Sequence, residues 1–290
     1  DVYKRQVNVT RMKSKWLILF IVFGLILTAC GGGSDDAAEV EEVVAEEPAE
    51  TLDAPATTAA AAEPEADPAS ICLVLDIGGL GDLSFNDLAY SGYEKAIADF
   101  GMEGTFLEPD GGGENRGELL ELCAEAGNDL IIGNGFLFDA SMNEVAPNYP
   151  DLNFAITDGV AEPANVRGML FDHAEGSFLA GVAAALKSTN NHVGFLGGVD
   201  FPLIHEFEQG FIAGVQAINP DIVIEIGYAS VAPDFSGFND VVKGKEIALA
   251  QYEAGADVIY HAAGGTGTGM FEAAKEVSES TGTKVWGIGV

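Results

Sequence analysis

Residues 71–290 of this 290-residue chain predict an α/β fold built as two successive, doubly wound lobes. Short apolar runs alternate with helical patterns along this whole region, which is typical of β-α-β-α units and a parallel sheet. Several runs are nearly continuous in apolar residues, as expected for strands that helices cover on both faces. Two such lobes should face each other across a cleft.

In the first lobe, residues 71–173, the pattern predicts strands at 71–78, 104–108, 130–133, 153–157 and 166–171, and helices at 85–100, 117–126 and 140–146. In the second lobe, residues 174–290, it predicts helices at 177–187, 207–218, 240–254 and 269–280, and strands at 193–197, 223–228, 258–262 and 285–290. Because open α/β sheets bind ligands beyond the carboxyl ends of their strands, a site is expected in the residues that directly follow the strands.

The region before the lobes has the pattern of an export signal at residues 12–29. A basic start precedes an apolar run at 16–27, which is shorter than the ~20 residues of a lasting membrane span. Residues 1–11 fit no part of such a signal, and we expect them to be non-native upstream residues.

A cysteine ends this signal. The sequence Leu27-Thr28-Ala29-Cys30 resembles the bacterial lipobox, in which the signal is removed and the new N-terminal cysteine carries a lipid. The alternative is a chance cysteine after a signal peptide. Residues 30–70 are rich in Ala, Glu, Pro, Asp and Thr and contain no Lys, Arg or aromatic residue. Such a composition predicts a disordered acidic linker that extends from a lipid anchor.

The charge of the chain limits its partners. It carries 13 Lys and Arg against 46 Asp and Glu, a formal net charge of −33. Such an acidic chain argues against nucleic acid, whose phosphates require Lys and Arg, and against docking flat on anionic lipid.

The cysteines and histidines give no metal-binding spacing, so neither a metal nor a cofactor is expected. Cys72 opens a predicted strand and Cys123 lies in a predicted helix. In an exported protein the two could form a disulfide, or both could be buried free thiols. The four histidines are scattered and are each expected at the surface or the edge of the core: His173, His192, His205 and His261.

Two glycine-rich loops suggest competing functions. Residues 79–84 follow a strand and imitate the dinucleotide motif G-x-G-x-x-G, with Ser84 in place of the third glycine and Glu108 as a mimic of the ribose-binding acid. Residues 264–269 lack the lysine of a P-loop and instead suggest close backbone approach to a ligand. No nucleophile elbow or Ser/His/Asp spacing occurs, so an enzyme is not expected.

Seven segments in order carry a resemblance to a known family. The first is Asp-Ile-Gly-Gly-Leu-Gly-Asp-Leu-Ser-Phe-Asn at 76–86, followed by Gly92, and the others are at 135–138, 145–150, 153–158, 175–181, 193–198 and 262–267. Together with the lipobox they resemble the basic membrane protein family, the purine-nucleoside-receptor-like substrate-binding lipoproteins of ABC transporters.

This resemblance implies a fold of the type I periplasmic binding protein class. It also implies capture of a nucleoside between two closing lobes, delivery to ABC permease subunits, and attachment to the outer face of the cell membrane through Cys30. The family continues after Gly-Val with a ribose-binding Asp and a Lys, so we expect the sequence to be C-terminally truncated and its first lobe incomplete.

Aromatic and acidic residues after the strands are the candidate base contacts. Stacking on an aromatic ring is worth ~1–3 kcal/mol per base. Phe85 is predicted to cover one face of the base and Phe238 the other, with Phe207 as the second choice, and core packing is the alternative for each. Asp158 is expected either to accept hydrogen bonds from the N–H edge of a purine, as the resemblance implies, or to cap a helix.

Four further residues are predicted to line the same site. Asp76 and Asn86 flank Phe85 and are expected to touch base or ribose, or to fix the loop. Gly264 and Gly265 are expected to let backbone amides approach the sugar. The competing hypotheses are a receptor of the same fold for a sugar, flavin or autoinducer that signals to a membrane kinase, and, more remotely, a Rossmann oxidoreductase.

Overall fold

Two parallel β-sheets covered by helices make up the part of the chain that the computed structural model describes, residues 68–290. The first lobe contains β1 (Ser70–Val74), α1 (Phe85–Phe100), β2 (Glu103–Leu107), α2 (Arg116–Glu125), β3 (Leu130–Gly133), α3 (Asp139–Val145), β4 (Asn153–Thr157) and β5 (Val166–Met169). The second contains α4 (His173–Lys187), β6 (His192–Asp200), α5 (Pro202–Ile218), β7 (Val223–Val231), α6 (Val241–Glu253), β8 (Val258–Ala262), α7 (Thr266–Thr281) and β9 (Trp286–Ile288). The predicted signal, Cys30 and nearly all of the acidic linker lie outside the described residues.

The strand order creates a crevice in each lobe. The first sheet runs β2-β1-β3-β4-β5 and the second β7-β6-β8-β9, with parallel pairing throughout. The order therefore reverses at β1 in one sheet and at β6 in the other. Ligands of doubly wound sheets bind at such reversal points, beyond the carboxyl ends of the strands. The doubly wound α/β fold predicted from the sequence is confirmed.

The core of the first lobe lies on both faces of its sheet and contains a disulfide. Cys72 on β1 and Cys123 on α2 are bonded, and both are almost fully buried beside Phe138 and Phe154. Of the two alternatives that the sequence left open, the structure shows the disulfide. It connects β1, an interior strand of the sheet, to α2.

Glycines allow α4 and α5 of the second lobe to approach each other closely. An added Cβ at Gly181 would lie 2.1 Å from the backbone oxygen of Phe211, and one at Gly214 would lie 2.0 Å from the backbone oxygen of Phe178. Any side chain at these positions would force the helices apart, since packed interiors leave no such space. The two helices therefore form a tight pair.

Several predicted element boundaries were wrong. The first strand ends at Val74, four residues before its predicted end, and the backbone N–H of Asp76 beyond it donates to the side chain of Asn86 on α1. Helix α4 begins at His173 because the carboxylate of Asp172 accepts the backbone N–H of Glu175 as an N-cap. Helix α5 begins at Pro202, in the first turn where proline is tolerated.

No helix within residues 68–290 is both long and apolar enough to cross a membrane.

Candidate functional site

A cleft between the two lobes collects the residues that follow the strands. It encloses about 660 Å³ with its open mouth included. Its lining comes from the first lobe through Asp76, Ile77, Asp82, Ser84, Phe85, Asn86, Gly135, Phe136, Leu137 and Asp158, and from the second through Leu203, Ile204, Phe207, Phe238, Ala262, Ala263, Gly264 and Val290. Six of the seven predicted ligand-binding residues are in this set, and Gly265 is not.

The loop after β1 places Phe85 at the cleft. The buried carboxylate of Asp82 accepts the backbone N–H groups of Ser84, Asn86 and Asp87 at 2.9, 2.9 and 3.1 Å. These are the free donors of the first turn of α1, which a carboxylate satisfies and whose helix dipole it complements. Phe85, the first residue of α1, is thereby fixed in position.

Every hydrogen-bonding site of the Asn86 side chain is occupied by other groups of the protein. Its Oδ1 accepts from the backbone N–H of Asp76 at 2.9 Å and from Nδ2 of Asn134 at 3.3 Å. Its Nδ2 donates to the backbone oxygen of Ile77 at 3.2 Å and to Asp82 at 3.1 Å. A side-chain amide has two donors and two acceptor sites, so none is left for a ligand. The geometry favours the loop-fixing role among the two that the sequence suggested.

Asp76 forms a buried ion pair that sequence reasoning missed. Its Oδ1 accepts from Nε of Arg116 at 2.9 Å and also from Nη2, while Nη1 of Arg116 donates to the backbone oxygen of Gly113 at 2.7 Å. Burial raises the pKa of Asp76 above its usual value, and the charge and hydrogen bonds of Arg116 act in the opposite direction. The only feature of the sequence that could have indicated this ion pair is an arginine directly before a predicted helix in a strongly acidic chain.

Glu108 supports the glycine-rich loop rather than a nucleotide. Its carboxylate accepts the backbone N–H of Leu80 at 2.8 Å, and an added Cβ at Gly79 would lie 2.4 Å from Oε1. Gly79 has a φ of +57°, which other residues adopt rarely. The resemblance of this loop to a dinucleotide motif therefore reflects its own turn geometry.

Asp158 is paired with a histidine that the sequence analysis had placed at the surface or core edge. Its Oδ1 lies 3.1 Å from Nε2 of His173, and each side chain is only about a tenth exposed. The pairing with Asp158 raises the pKa of His173, although burial opposes the rise. Helix capping, the alternative role for Asp158, falls instead to Asp172 at the start of α4.

Phenylalanine rings from both lobes meet at the cleft. Phe136 of the first lobe stacks on Phe201 of the second, with ring centres 4.9 Å apart and an interplanar angle of 16°. It also meets the rings of Phe235 and Phe238 edge-on, at 5.9 and 6.4 Å. Of these four rings, only Phe238 was predicted from the sequence as a base contact, because the pairing of distant loops leaves no local pattern.

The loop that carries Phe238 is tied to the start of α7. The buried hydroxyl of Thr266 donates to the backbone oxygen of Gly237 at 2.8 Å and accepts the backbone N–H of Asp240 at 2.6 Å. An added Cβ at Gly264 would lie 3.0 Å from the backbone oxygen of Phe238, and one at Gly265 would lie 2.8 Å from Oδ1 of Asn239. These close approaches account for both glycines through packing, whether or not a sugar is bound.

His261 is a core residue, which corrects the expectation that every histidine lies at the surface or core edge. It is 2 % exposed and lies on β8 under the first turn of α7. Burial lowers its pKa to about 4, and its Nδ1 has no hydrogen-bond partner within residues 68–290. In the same residues, no group of three or more His, Cys, Asp or Glu side chains is arranged to hold a metal ion.

Two parallel α/β lobes with a cleft between them, lined by aromatic rings and carboxylates, have the architecture of a two-lobed solute-binding protein. The fold is that of type I periplasmic binding proteins, as its structural neighbours show. Residues 70–290 match the Bmp family, described as PnrA-like ABC transporter substrate-binding proteins, and the chain belongs to this family. The family resemblance seen in the sequence is confirmed.

Relatives with curated names support this membership. The chain is 34% identical to a CD4+ T-cell-stimulating antigen of Listeria innocua over 281 residues. This alignment covers 94% of this chain and 71% of that protein. It is 36% identical to the ABC transporter nucleoside-binding protein BmpA of Lactococcus lactis over 75% of this chain and 62% of that protein. The chain therefore spans about three fifths of the length of the nucleoside-binding relative.

A solved structure agrees with the sequence relatives. A solute-binding protein of an ABC transporter system from Aeropyrum pernix superposes with a TM-score of 0.67 at 31% identity, covering 76% of this chain and 61% of that one. A sugar transporter from Clostridium phytofermentans, at 17% identity and a TM-score of 0.54, shows the shared fold alone.

Proposed function

We propose that the chain is the lipid-anchored, extracytoplasmic receptor of an ABC importer and that it binds a purine nucleoside between its lobes without catalysing a reaction. The observation that carries this proposal is the composition of one cleft. Phe85 approaches it from the first lobe and Phe238 from the second, and Asp158 ends a strand at its edge. A flat base with an N–H edge matches two rings and a carboxylate.

The roles within the cleft follow from the contacts. Phe85 and Phe238 supply the stacking faces, and Asp158 accepts from the base with the oxygen that His173 does not contact. Asp76 and Asn86 hold the loop that presents Phe85, because their side chains are bonded to Arg116 and to the loop itself. Gly264 lines the cleft with its backbone, and the buried Gly265 lies next to it outside the lining.

Two lines of support come from the relatives. The Lactococcus lactis protein is named as nucleoside-binding and is similar over three quarters of this chain. A Pyrococcus abyssi relative, 32% identical over 78% of this chain, is named a lipoprotein. The first name agrees with a nucleoside ligand and the second with a lipid on Cys30.

Calorimetric titration of the full chain tests the ligand. Adenosine, guanosine, inosine, cytidine, riboflavin and ribose are titrated separately under one set of conditions. We expect heat from the purine nucleosides and little from ribose alone, since ribose lacks the surface that the rings cover. Heat from ribose with none from any nucleoside would overturn the proposal.

The anchor is tested independently of the ligand. Expressed in a bacterium from Met12 onward, the wild-type chain should fractionate with membranes, whereas a Cys30→Ser variant should be released from them because it has no thiol to acylate. A Cys72→Ser/Cys123→Ser variant serves as the control, since it also replaces cysteines, those of the disulfide, but keeps Cys30. Equal release of the wild type and Cys30→Ser would contradict the lipid anchor.

A further inference from the structure

One imidazole connects the two sides of the cleft. His173 is the first residue of α4, directly after the segment that leaves the first lobe. Its Nε2 lies 3.1 Å from Oδ1 of Asp158, at the end of β4 in the first lobe. Its ring stacks on Phe207 of α5 in the second lobe, with ring centres 4.4 Å apart and an interplanar angle of 21°. Asp158 and Phe207 both line the cleft, whereas His173 supports them from behind.

The contact leaves half of the carboxylate of Asp158 for a ligand. Nε2 of His173 approaches Oδ1 as an ion-pair contact without hydrogen-bond geometry, and no protein hydrogen bond reaches either oxygen of Asp158 within the described part of the chain. A protonated imidazole beside Oδ1 attracts the carboxylate and favours one orientation of it, so that Oδ2 keeps a fixed direction. A neutral imidazole provides no such charge, and the carboxylate gains freedom to rotate.

The charges around His173 favour its protonated form. Asp158 faces it from β4, Glu206 from α5 and Asp172 from the residue before its own helix. All three are acidic, and the pKa of His173 is raised, first through the contact with Asp158. The rings of Phe171 and Phe207, which carry no charge, have their centres 6.4 and 4.4 Å from that of the imidazole.

We infer that His173 is a positioning residue whose protonation holds Asp158 and Phe207 in their ligand-binding arrangement, so that ligand affinity falls as the pH rises and His173 loses its proton. This inference rests on the proposed function, because it names the regulation of the same cleft. His173 is not among the residues that line the cleft and acts through two side chains that are, Asp158 and Phe207.

The raised pKa of His173 determines how ligand affinity changes with pH. Below it His173 is charged and affinity is at its plateau, and above it affinity declines to a second, lower plateau. Loss of the charge from an ion-pair contact of this kind corresponds to a change in affinity of up to about fivefold. By linkage, ligand binding in the transition region must also be accompanied by proton uptake.

The test is calorimetric titration of inosine into wild type, His173→Gln and His192→Gln from about pH 6 to about pH 9, the range in which a raised histidine titrates. His192 is the matched control, since it forms a similar pair with Glu225 at 3.3 Å but at the first residue of β6, away from the cleft. Wild type and His192→Gln should lose up to about fivefold in affinity across this range. His173→Gln, which keeps a neutral donor, should show a flat profile near the upper-pH value.

Titration in buffers of different ionisation enthalpy adds a readout that a purely structural role would not move. Proton uptake on binding should be present in wild type and absent in His173→Gln. A pH-independent affinity of wild type, or a slope that persists in His173→Gln, overturns the inference and leaves the nucleoside proposal intact. Absence of heat from every nucleoside at every pH overturns the proposed function and this inference with it.

Discussion

The ring of Phe136 in the first lobe lies flat against the ring of Phe201 in the second, with centres 4.9 Å apart. Phe136 lines the cleft and Phe201 does not. The stack therefore holds the lobes together beside the ligand site, and one of its two members can be removed without touching the ligand.

Phe201→Ala should weaken the closed arrangement of the lobes. An aromatic pair contributes about 0.5–1.5 kcal/mol beyond its buried area, so ligand affinity should fall by a corresponding factor and the ligand-free protein should become more extended. Small-angle scattering and titration measure the two effects. Phe100→Ala is the control, because Phe100 is 78% exposed on α1. Unchanged scattering and affinity in Phe201→Ala would show that the stack does not stabilise closure.

Phe85→Ala should weaken nucleoside binding by ~1–3 kcal/mol, because the variant loses the ring on which the base stacks. Phe85→Leu keeps most of the apolar contact and should recover only part of the loss, which separates stacking from burial. The measurement is the dissociation constant of each variant, with its fold checked by circular dichroism. A folded Phe85→Ala protein that binds as tightly as wild type would reject the stacking role.

Arg116→Leu should lower the free energy of unfolding by about 3–5 kcal/mol, because it leaves Asp76 buried without its charged partner. Asp76→Leu/Arg116→Leu should lose less than Arg116→Leu alone, since it removes both buried charges. Urea denaturation of wild type, both single variants and the double variant gives the coupling between the two residues. Simple additivity of the single effects would mean that the pair contributes no coupling energy.

Because of His261, the free energy of unfolding should fall as the pH falls from about 7.5 to about 5. Burial lowers its pKa from 6.5 to about 4 in the folded protein, so in this interval the unfolded chain binds a proton that the folded chain does not. Protonation of His261 in the unfolded chain alone should lower the free energy of unfolding by about 2 kcal/mol at about pH 5 relative to neutral pH. The folded protein therefore has its full stability above the pKa of the unfolded chain and loses stability as the pH falls towards the pKa of the folded protein.

The His261 effect is measured by urea denaturation of wild type and His261→Gln at both pH values. The difference between the two proteins is the readout, because the many carboxylates titrate in both. An identical pH dependence of stability in wild type and variant would contradict a neutral, buried His261.

The strands and the cleft could be predicted because their signal is local. Continuous apolar runs such as residues 130–133 and 258–262 are recognisable without tertiary information, and parallel topology places whatever follows them at the cleft. This is why Asp76, Phe85 and Asp158 could be named from the sequence as cleft residues. The early start of α5 at Pro202 was also visible in principle, as a proline in a first helical turn.

The contacts between distant segments could not be predicted. Arg116 follows Asp76 by 40 residues, and Phe201 follows Phe136 by a longer stretch that crosses from one lobe to the other. Neither pair has a spacing that reports proximity. His173 similarly looked like an isolated polar residue, because its partner Asp158 and the ring of Phe207 lie on different elements.

The bond between Cys72 and Cys123 gives the first lobe a dependence on its surroundings. The two residues are 51 positions apart, so the closed covalent loop contains α1, β2 and the segment that presents Phe85. Such a bond persists where the environment is oxidising and is lost where glutathione or thioredoxin keeps thiols reduced. In a reducing environment the chain would therefore carry two alkylatable thiols and a looser support for Phe85, and thiol labelling would distinguish it from the disulfide-bonded form.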